Sequence, residues 1–321
     1  MDFHAVREVY SDPTGEAGNI VVIENGLHLW NVTINAGISE EVTIGHTADL
    51  HFNYCNQQDI DKADPVIMST LAHRKWLANA GSVPNARRSL AFLHETTDQV
   101  VVNGDTLDYL SHGAMEIMQR EVWDKYPDII ATVGGHELSM QMEGTVRETL
   151  PRSALLARVA EFWKHDIFYT SRLIKGKVLI VAVLNDLARF TADQVSRFTE
   201  DLKSARENGY VVLLFGHEPF RTNNPEDRSV TVEDILIRGD TSGFPLNLCD
   251  YGKNDDETKA FNSLILNNAD IIRGVFSGHE HNSMFHRIVG KDRNGATMMI
   301  PHFIITTNAC DQGHVMRICV K

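Results

Sequence analysis

No stretch of this chain approaches the roughly 18 consecutive apolar residues that a membrane-spanning helix needs. Its start, MDFHAVREVYSDPTGEAG, lacks a basic segment leading into an apolar one, so a secretory leader is not expected and the cytoplasm is the default compartment. Cysteine is scarce. Cys55, Cys249, Cys310 and Cys319 are the four in 321 residues, with no CxxC pair, which excludes a disulfide scaffold and reads as mostly buried thiols. Positive charge is short as well: 30 Lys and Arg stand against 43 Asp and Glu, for a net charge of -13. That balance argues against a nucleic-acid groove as the main surface, because backbone phosphates reward clustered cations. Small phosphorylated partners stay open, since bound divalent cations invert the local charge. Repeats, linkers and low-complexity segments are absent too. The expectation is one large domain over residues 1–321, with 1–41 as an N-terminal β-hairpin extension.

What is present is a globular composition, 43% hydrophobic and 23% charged, with apolar runs that stop at polar clusters. Residues 19–38 alternate apolar and polar around Gly26 and predict a hairpin that extends a sheet. Buried strands are expected in VTIGHTADLH, QVVVNGD, DIIATVGGHE, KVLIVAVLND, YVVLLFGHEPF and DIIRGVFSGHEH, and closing strands in FHRIVG, TMMIPHFIITT and HVMRICV. Helices are expected at about 64–80, 85–95, 152–164, after an N-cap at Thr191 through Ala205, and at 257–268. The polar span 222–256 reads as a rim or lid, with a short helix at 231–237.

Five of these strands run into the segments that hold the candidate carboxylates and imidazoles. In order they are Asp49-Leu50-His51, Gly104-Asp105-Thr106-Leu107-Asp108, Gly134-Gly135-His136-Glu137, Gly216-His217 and Gly278-His279-Glu280-His281. Loops at the carboxyl ends of strands are where open α/β sheets build sites. Imidazole and carboxylate donors suit manganese, iron or zinc rather than calcium. Two ions about 3.5–4 Å apart can clamp a phosphate and activate water.

The five segments together resemble the calcineurin-like metallophosphoesterase superfamily, from Val42 to about Val320. The resemblance implies an α/β sandwich of two mixed β-sheets flanked by helices. It implies a metal-dependent phosphohydrolase that cleaves a phosphodiester or phosphomonoester by attack of a metal-bound hydroxide, with a small phosphorylated substrate and two divalent or trivalent ions. It assigns one ion to Asp49, His51 and His281 and the other to His217 and His279, with Asp105 bridging. His136 takes the catalytic position, stabilising phosphoryl oxygens and protonating the leaving group, and Asp108 orients it.

One position departs from the family pattern. Gly135 stands where the family has a metal-binding asparagine, so the second ion has one protein ligand fewer, and Asn53, Asn56 and Glu137 are nearby groups that could compensate. That departure motivates an alternative, a non-catalytic or impaired member that uses the fold as a metal-binding scaffold or ligand sensor. Of the remaining histidines, His4, His28, His73, His112, His165, His286 and His314 read as structural or surface residues. His46 and His302 stay open between packing and support of the ligands. Met115, Met118, Met140 and Met142 read as core or rim packing.

Overall fold

Side chains of a strand alternate between two faces, so a strand buried at every position is covered on both sides. β4 (Gln99–Asn103), β7 (Val178–Val183) and β8 (Val211–Gly216) are buried throughout. The structure, a computed structural model, describes residues 17–24, 27–62, 81–139, 152–186, 189–220, 255–281, 283–309 and 312–321. Val101, Ile180, Leu213 and Phe215 point into a middle core shared by two sheets, together with Ile44, Ile130, Phe276 and Ile318. Val100 and Val102 point the other way, onto Leu90, Leu93, Ala114 and Trp163. Val181, Val212 and Leu214 do the same in the second sheet, onto Phe198, Leu202, Phe261 and Ile265. The result is the expected α/β fold of two mixed sheets with helices outside.

The first sheet runs β1 (Ala17–Glu24), β2 (Leu27–Ile34), β12 (Gly313–Val320), β3 (Val42–Thr47), β4 and β5 (Ile130–Thr132). The second runs β10 (Met284–Lys291), β11 (Thr297–Ile304), β9 (Ile272–Ser277), β8, β7 and β6 (Tyr169–Ile174). Strands β3, β4 and β5 are parallel, as are β7, β8 and β9. Each of the five motifs follows one of these parallel strands, so all five emerge at carboxyl ends. The N-terminal hairpin forms as expected, β1 pairing antiparallel with β2. It joins the sheet through a parallel ladder between β2 and β12.

Local signals explain the helix boundaries. Thr191 caps the helix Ala192–Asn208 in a reciprocal box: its hydroxyl accepts from the Gln194 N–H at 3.2 Å, and the Gln194 amide oxygen accepts from the Thr191 N–H at 2.8 Å. Gly209, at φ 72°, ends it. The helices expected at 85–95, 152–164 and 257–268 are Ser82–Thr96, Arg152–Phe162 and Asp256–Leu266. Those expected at 64–80 and 231–237 lie outside the described residues. The elements not anticipated include β6, the short helices Gln57–Lys62 and Gly135–Ser139, and the helix His112–Met118 that runs on into a single π turn at Gln119–Trp123. Met115 and Met118 pack in the outer core as expected, whereas Met140 and Met142 lie outside the described residues. Cys55 and Cys319 are half-buried rather than buried, and Cys249 and Cys310 are outside the described residues. Among the described residues no helix is long and apolar enough to cross a membrane.

His46 is the anomaly of the middle core. It is fully buried on β3, edge-on to Phe215 and Phe276, and neither ring nitrogen has a hydrogen-bond partner. Burial pushes its pKa down from 6.5 to about 3. The folded protein therefore takes up this proton later than the unfolded chain, so stability is complete above pH 6.5 and falls as the pH drops below it. At about 1.4 kcal/mol per pH unit, the His46 contribution to that fall is about 2–3 kcal/mol by pH 4.5. A His46→Leu variant is expected to be more stable at pH 7, because two unsatisfied buried polar atoms are removed. Its unfolding midpoint in urea is expected to depend less steeply on pH between 7.5 and 4.5. Parallel curves for the two proteins would contradict this.

Candidate metal centre

Backbone geometry marks the site before any side chain is considered. Among the described residues, the non-glycine positions with positive φ are Asp49 (54°), His51 (45°), Asp105 (48°), His279 (71°), His281 (50°) and Lys175 (47°). Lys175 is followed by Gly176, at φ 64°, in the tight turn between β6 and β7, where paired positive φ matches the strand twist. The other five are candidate ligands. Left-handed backbone costs a non-glycine residue about 1–3 kcal/mol and persists only where surroundings impose it.

The surroundings are a short continuation of the β3–β4 ladder. Asp49 N–H donates to Gly104 O at 3.0 Å, His51 N–H to Asp105 O at 2.9 Å, and Phe52 N–H to Thr106 O at 2.8 Å. From the far end of the chain, the Thr307 hydroxyl donates to Asp49 O at 2.9 Å and the Asn308 N–H at 3.2 Å. Glycines then let the ligands approach backbone. A Cβ on Gly134 would lie 2.2 Å from Asp105 Oδ1, and one on Gly104 would lie 2.3 Å from the His217 ring while Gly104 holds φ 78°. Gly135 is different: a Cβ there meets nothing nearer than Asp186 Oδ1 at 3.4 Å. Neither backbone nor packing demands glycine at 135.

Three groups of donor atoms converge, two of them sharing His51 and each within 4.8 Å: Asp49, His51 and His281; Asp105, His217 and His279; and His51, Asp108 and His136. In the first, His51 Nε2 lies 2.9 Å from His281 Nε2, and Asp49 Oδ1 lies 3.3 Å from His281 Nε2 and 3.7 Å from His51 Nε2. In the second are Asp105, His217 and His279, with Asp105 Oδ2 3.1 Å from His217 Nε2. Ligands about 2.0–2.2 Å from one ion stand about 3–3.5 Å from each other, so these spacings suit a shared cation. The histidine tautomers agree. His217 Nδ1 is 2.7 Å from the carbonyl of Asn103, which takes its proton and leaves Nε2 a lone pair, buried, facing a carboxylate and without a hydrogen-bond partner. His51 Nδ1 is likewise committed to Asp108 at 3.0 Å, leaving Nε2 free to ligate.

The electrostatics call for positive charge. Burial opposes ionisation of Asp49 and Asp105. Facing His281 and His217 nevertheless holds Asp49 below the usual carboxylate range, and His217 and His136 hold Asp105 well below it. Burial likewise opposes charging His217 and His281, but Asp105 and Asp49 draw both above the usual histidine value. His51 and His279 go the other way, lowered chiefly by burial. Carboxylates that recruit protons onto neighbouring imidazoles present the charge pattern of a cation site. The eight residues named from the sequence thus meet in one place.

His136 sits at the mouth of this cluster, with 24% of its side chain exposed. Its N–H donates to Asp105 Oδ1 at 2.9 Å, and its ring Nε2 lies 3.9 Å from Asp105 Oδ2. Its Nδ1 is 2.8 Å from the main-chain oxygen of Asp108 and 3.5 Å from that residue's carboxylate. His281 is more exposed, at 42%, and His279 is partly exposed.

The groups considered as stand-ins for an asparagine at 135 are engaged elsewhere. Glu137 is buried and accepts from the Leu107 and Gly134 N–H groups, both at 2.9 Å, with its pKa raised to about 8 by burial and by Asp105. Asn53 bonds Asp108 and Tyr109, and Asn56 bonds Glu116 and Asp59. His46 packs edge-on to Phe215 and Phe276, and His302 pairs with Ser277 at 3.0 Å.

Two supporting groups went unread in the sequence. Asn103 donates to Gly216 O and Phe276 O and accepts from Thr132, tying β4, β5, β8 and β9 beneath the site. Its position just before the Gly-Asp pair was the available signal. Thr307 and Asn308, which clamp Asp49, carry no motif.

The family model described as calcineurin-like phosphoesterase matches residues 42–283. No curated protein matches. Among solved structures, the chain is similar to a dimetal phosphatase from Danio rerio, at 13% identity over 84% of this chain and 88% of that one, with TM-score 0.44. It is also similar to a purple acid phosphatase from yellow lupin (Lupinus luteus) seeds, at 12% identity over 90% of this chain and 49% of that one, TM-score 0.46. A third is a 5'-nucleotidase from Candida albicans, at 14% identity over 84% of this chain and 45% of that one, TM-score 0.37.

Proposed function

The chain belongs to the calcineurin-like phosphoesterase family, and from that premise we propose that it hydrolyses a small phosphorylated substrate, monoester or diester, at the cluster just described. The observation that carries the reading is the convergence of two donor groups whose facing atoms are lone pairs and carboxylates. Asp49, His51 and His281 would hold one ion, His217 and His279 the other, and Asp105 would be shared. Manganese, iron or zinc fits this donor set. When bound, such ions neutralise phosphate oxygens and lower the pKa of water.

The protein's own groups supply the rest. His136, exposed at the mouth beside Asp105, hydrogen-bonds a phosphoryl oxygen and delivers a proton to the leaving oxygen. The main-chain oxygen of Asp108 fixes its Nδ1, so Nε2 is the nitrogen that faces substrate. Asp105 orients this imidazole from behind through the His136 N–H. The net charge of -13 does not oppose an anionic substrate, because bound cations would reverse the sign locally.

The test is turnover of p-nitrophenyl phosphate and of bis(p-nitrophenyl) phosphate. Hydrolysis of at least one is expected with manganese present, falling to background after chelation and returning on re-addition of manganese. No turnover of either ester with both ions bound would favour the scaffold or sensor role, to which Gly135 points.

A further inference from the structure

The Asp108 carboxylate faces a different histidine from the one that the sequence pattern pairs with it. It is fully buried. Oδ1 accepts from His51 Nδ1 at 3.0 Å, and Oδ2 accepts from Asn53 Nδ2 at 2.6 Å. The distance to His136 Nδ1 is 3.5 Å, longer than a good N–H···O bond, and that nitrogen has a closer partner in the main-chain oxygen of the same residue at 2.8 Å. Nor does Asp108 cap the helix that follows: Ser111 does, accepting from the Ala114 N–H.

The arrangement is fixed from behind. The Tyr109 hydroxyl, almost fully buried, donates to Asn53 Oδ1 at 3.0 Å. The carboxylate can only accept, which settles which end of the Asn53 amide meets Asp108: the NH2 group faces the carboxylate, so the carbonyl faces the phenol. Burial pushes the Tyr109 pKa up, which keeps the phenol a donor. The backbones that carry these groups are locked in register, Phe52 N–H donating to Thr106 O at 2.8 Å and Asp108 N–H to Phe52 O at 3.3 Å.

We infer that the Asp108 side chain positions the metal ligand His51, with Asn53 and Tyr109 as positioning residues behind it, while Asp108 reaches His136 through its main-chain oxygen. This rests on the proposed metal role of His51. A carboxylate accepting from Nδ1 fixes the ligating tautomer and strengthens the Nε2 donor, and loss of such a partner typically costs about 10–100-fold in metal affinity. An amide in its place cannot do the same work. The His51 N–H and the Asn53 NH2 group both need acceptors, and an asparagine at 108 offers one acceptor and one donor.

The inference is tested by titrating chelator-stripped protein with manganese in a calorimeter and counting bound ions by elemental mass spectrometry. The set is wild type, Asp108→Asn, the near-isosteric Tyr109→Phe, and His136→Gln. Wild type and His136→Gln are expected to bind alike. Asp108→Asn is expected to weaken one ion about 10–100-fold and leave the other unchanged. Tyr109→Phe is expected to weaken the same ion by a smaller factor with the circular dichroism spectrum unchanged. The limb of the pH-rate profile that vanishes in His136→Gln is expected to stay in place in Asp108→Asn. Wild-type manganese binding in both variants, with a displaced pH limb in Asp108→Asn, would overturn the inference and return the carboxylate to His136. A wild-type protein that binds no manganese would overturn the metal reading itself and the inference with it.

Discussion

An Asp105→Ala variant is expected to lose at least one bound ion and to fall about 10³-fold or more in kcat/KM, equivalent to about 4 kcal/mol or more of transition-state stabilisation. The size follows from how much one buried side chain does. Its Oδ2 is 3.1 Å from His217 Nε2 and 3.9 Å from His136 Nε2, and its Oδ1 accepts from the His136 N–H at 2.9 Å. Removing it strips the second donor group of its carboxylate and frees the backbone of the residue placed to act as acid. Asp105→Asn separates the two effects. It keeps an acceptor for the His136 N–H but loses the charge, so metal binding is expected to fall nearly as far as in Asp105→Ala. Elemental analysis of both variants, with kcat/KM on the activated ester, checks this; retention of two ions by Asp105→Ala would contradict it.

The second large effect belongs to His136. His136→Ala is expected to lower kcat about 10²–10⁴-fold, the usual reach of a general acid, with the number of bound ions unchanged, because the ring lies at the mouth and outside both proposed ligand groups. The loss is expected to grow with the pKa of the leaving alcohol. A nitrophenolate departs with little protonation, whereas an alkoxide does not depart without it. Equal losses for an aryl and an alkyl phosphate would point to positioning or charge alone. A loss of ions would place His136 among the ligands.

These effects fall on residues that were legible in sequence for a local reason. Each ligand stands beside a glycine or within two residues of another ligand, at the end of a run that only a buried parallel strand explains, as at Gly104-Asp105 and Gly278-His279. What sequence could not show is which groups meet across the molecule. Asp108 serves His51 in the structure because the 51–53 and 105–108 backbones pair in a register that no linear spacing reveals. Thr307 reaches Asp49 from 258 residues away, and nothing around Thr307 marks it. β6 carries a weak apolar signal because it is an edge strand with Ser171 and Leu173 exposed and Arg172 reaching back to Gln99. Asp256–Leu266 starts one residue before the expected 257, where the Asp255 side chain caps it by accepting from the Thr258 N–H. At Gly135 the backbone has room for a side chain, so the glycine answers no demand of the fold.

The measurement that bears most directly on the account is the number of metal ions per chain, by elemental mass spectrometry after chelator stripping and reconstitution with manganese. Two ions are predicted, since two donor groups face inward with lone pairs and carboxylates in place. One ion or none would contradict a binuclear hydrolase.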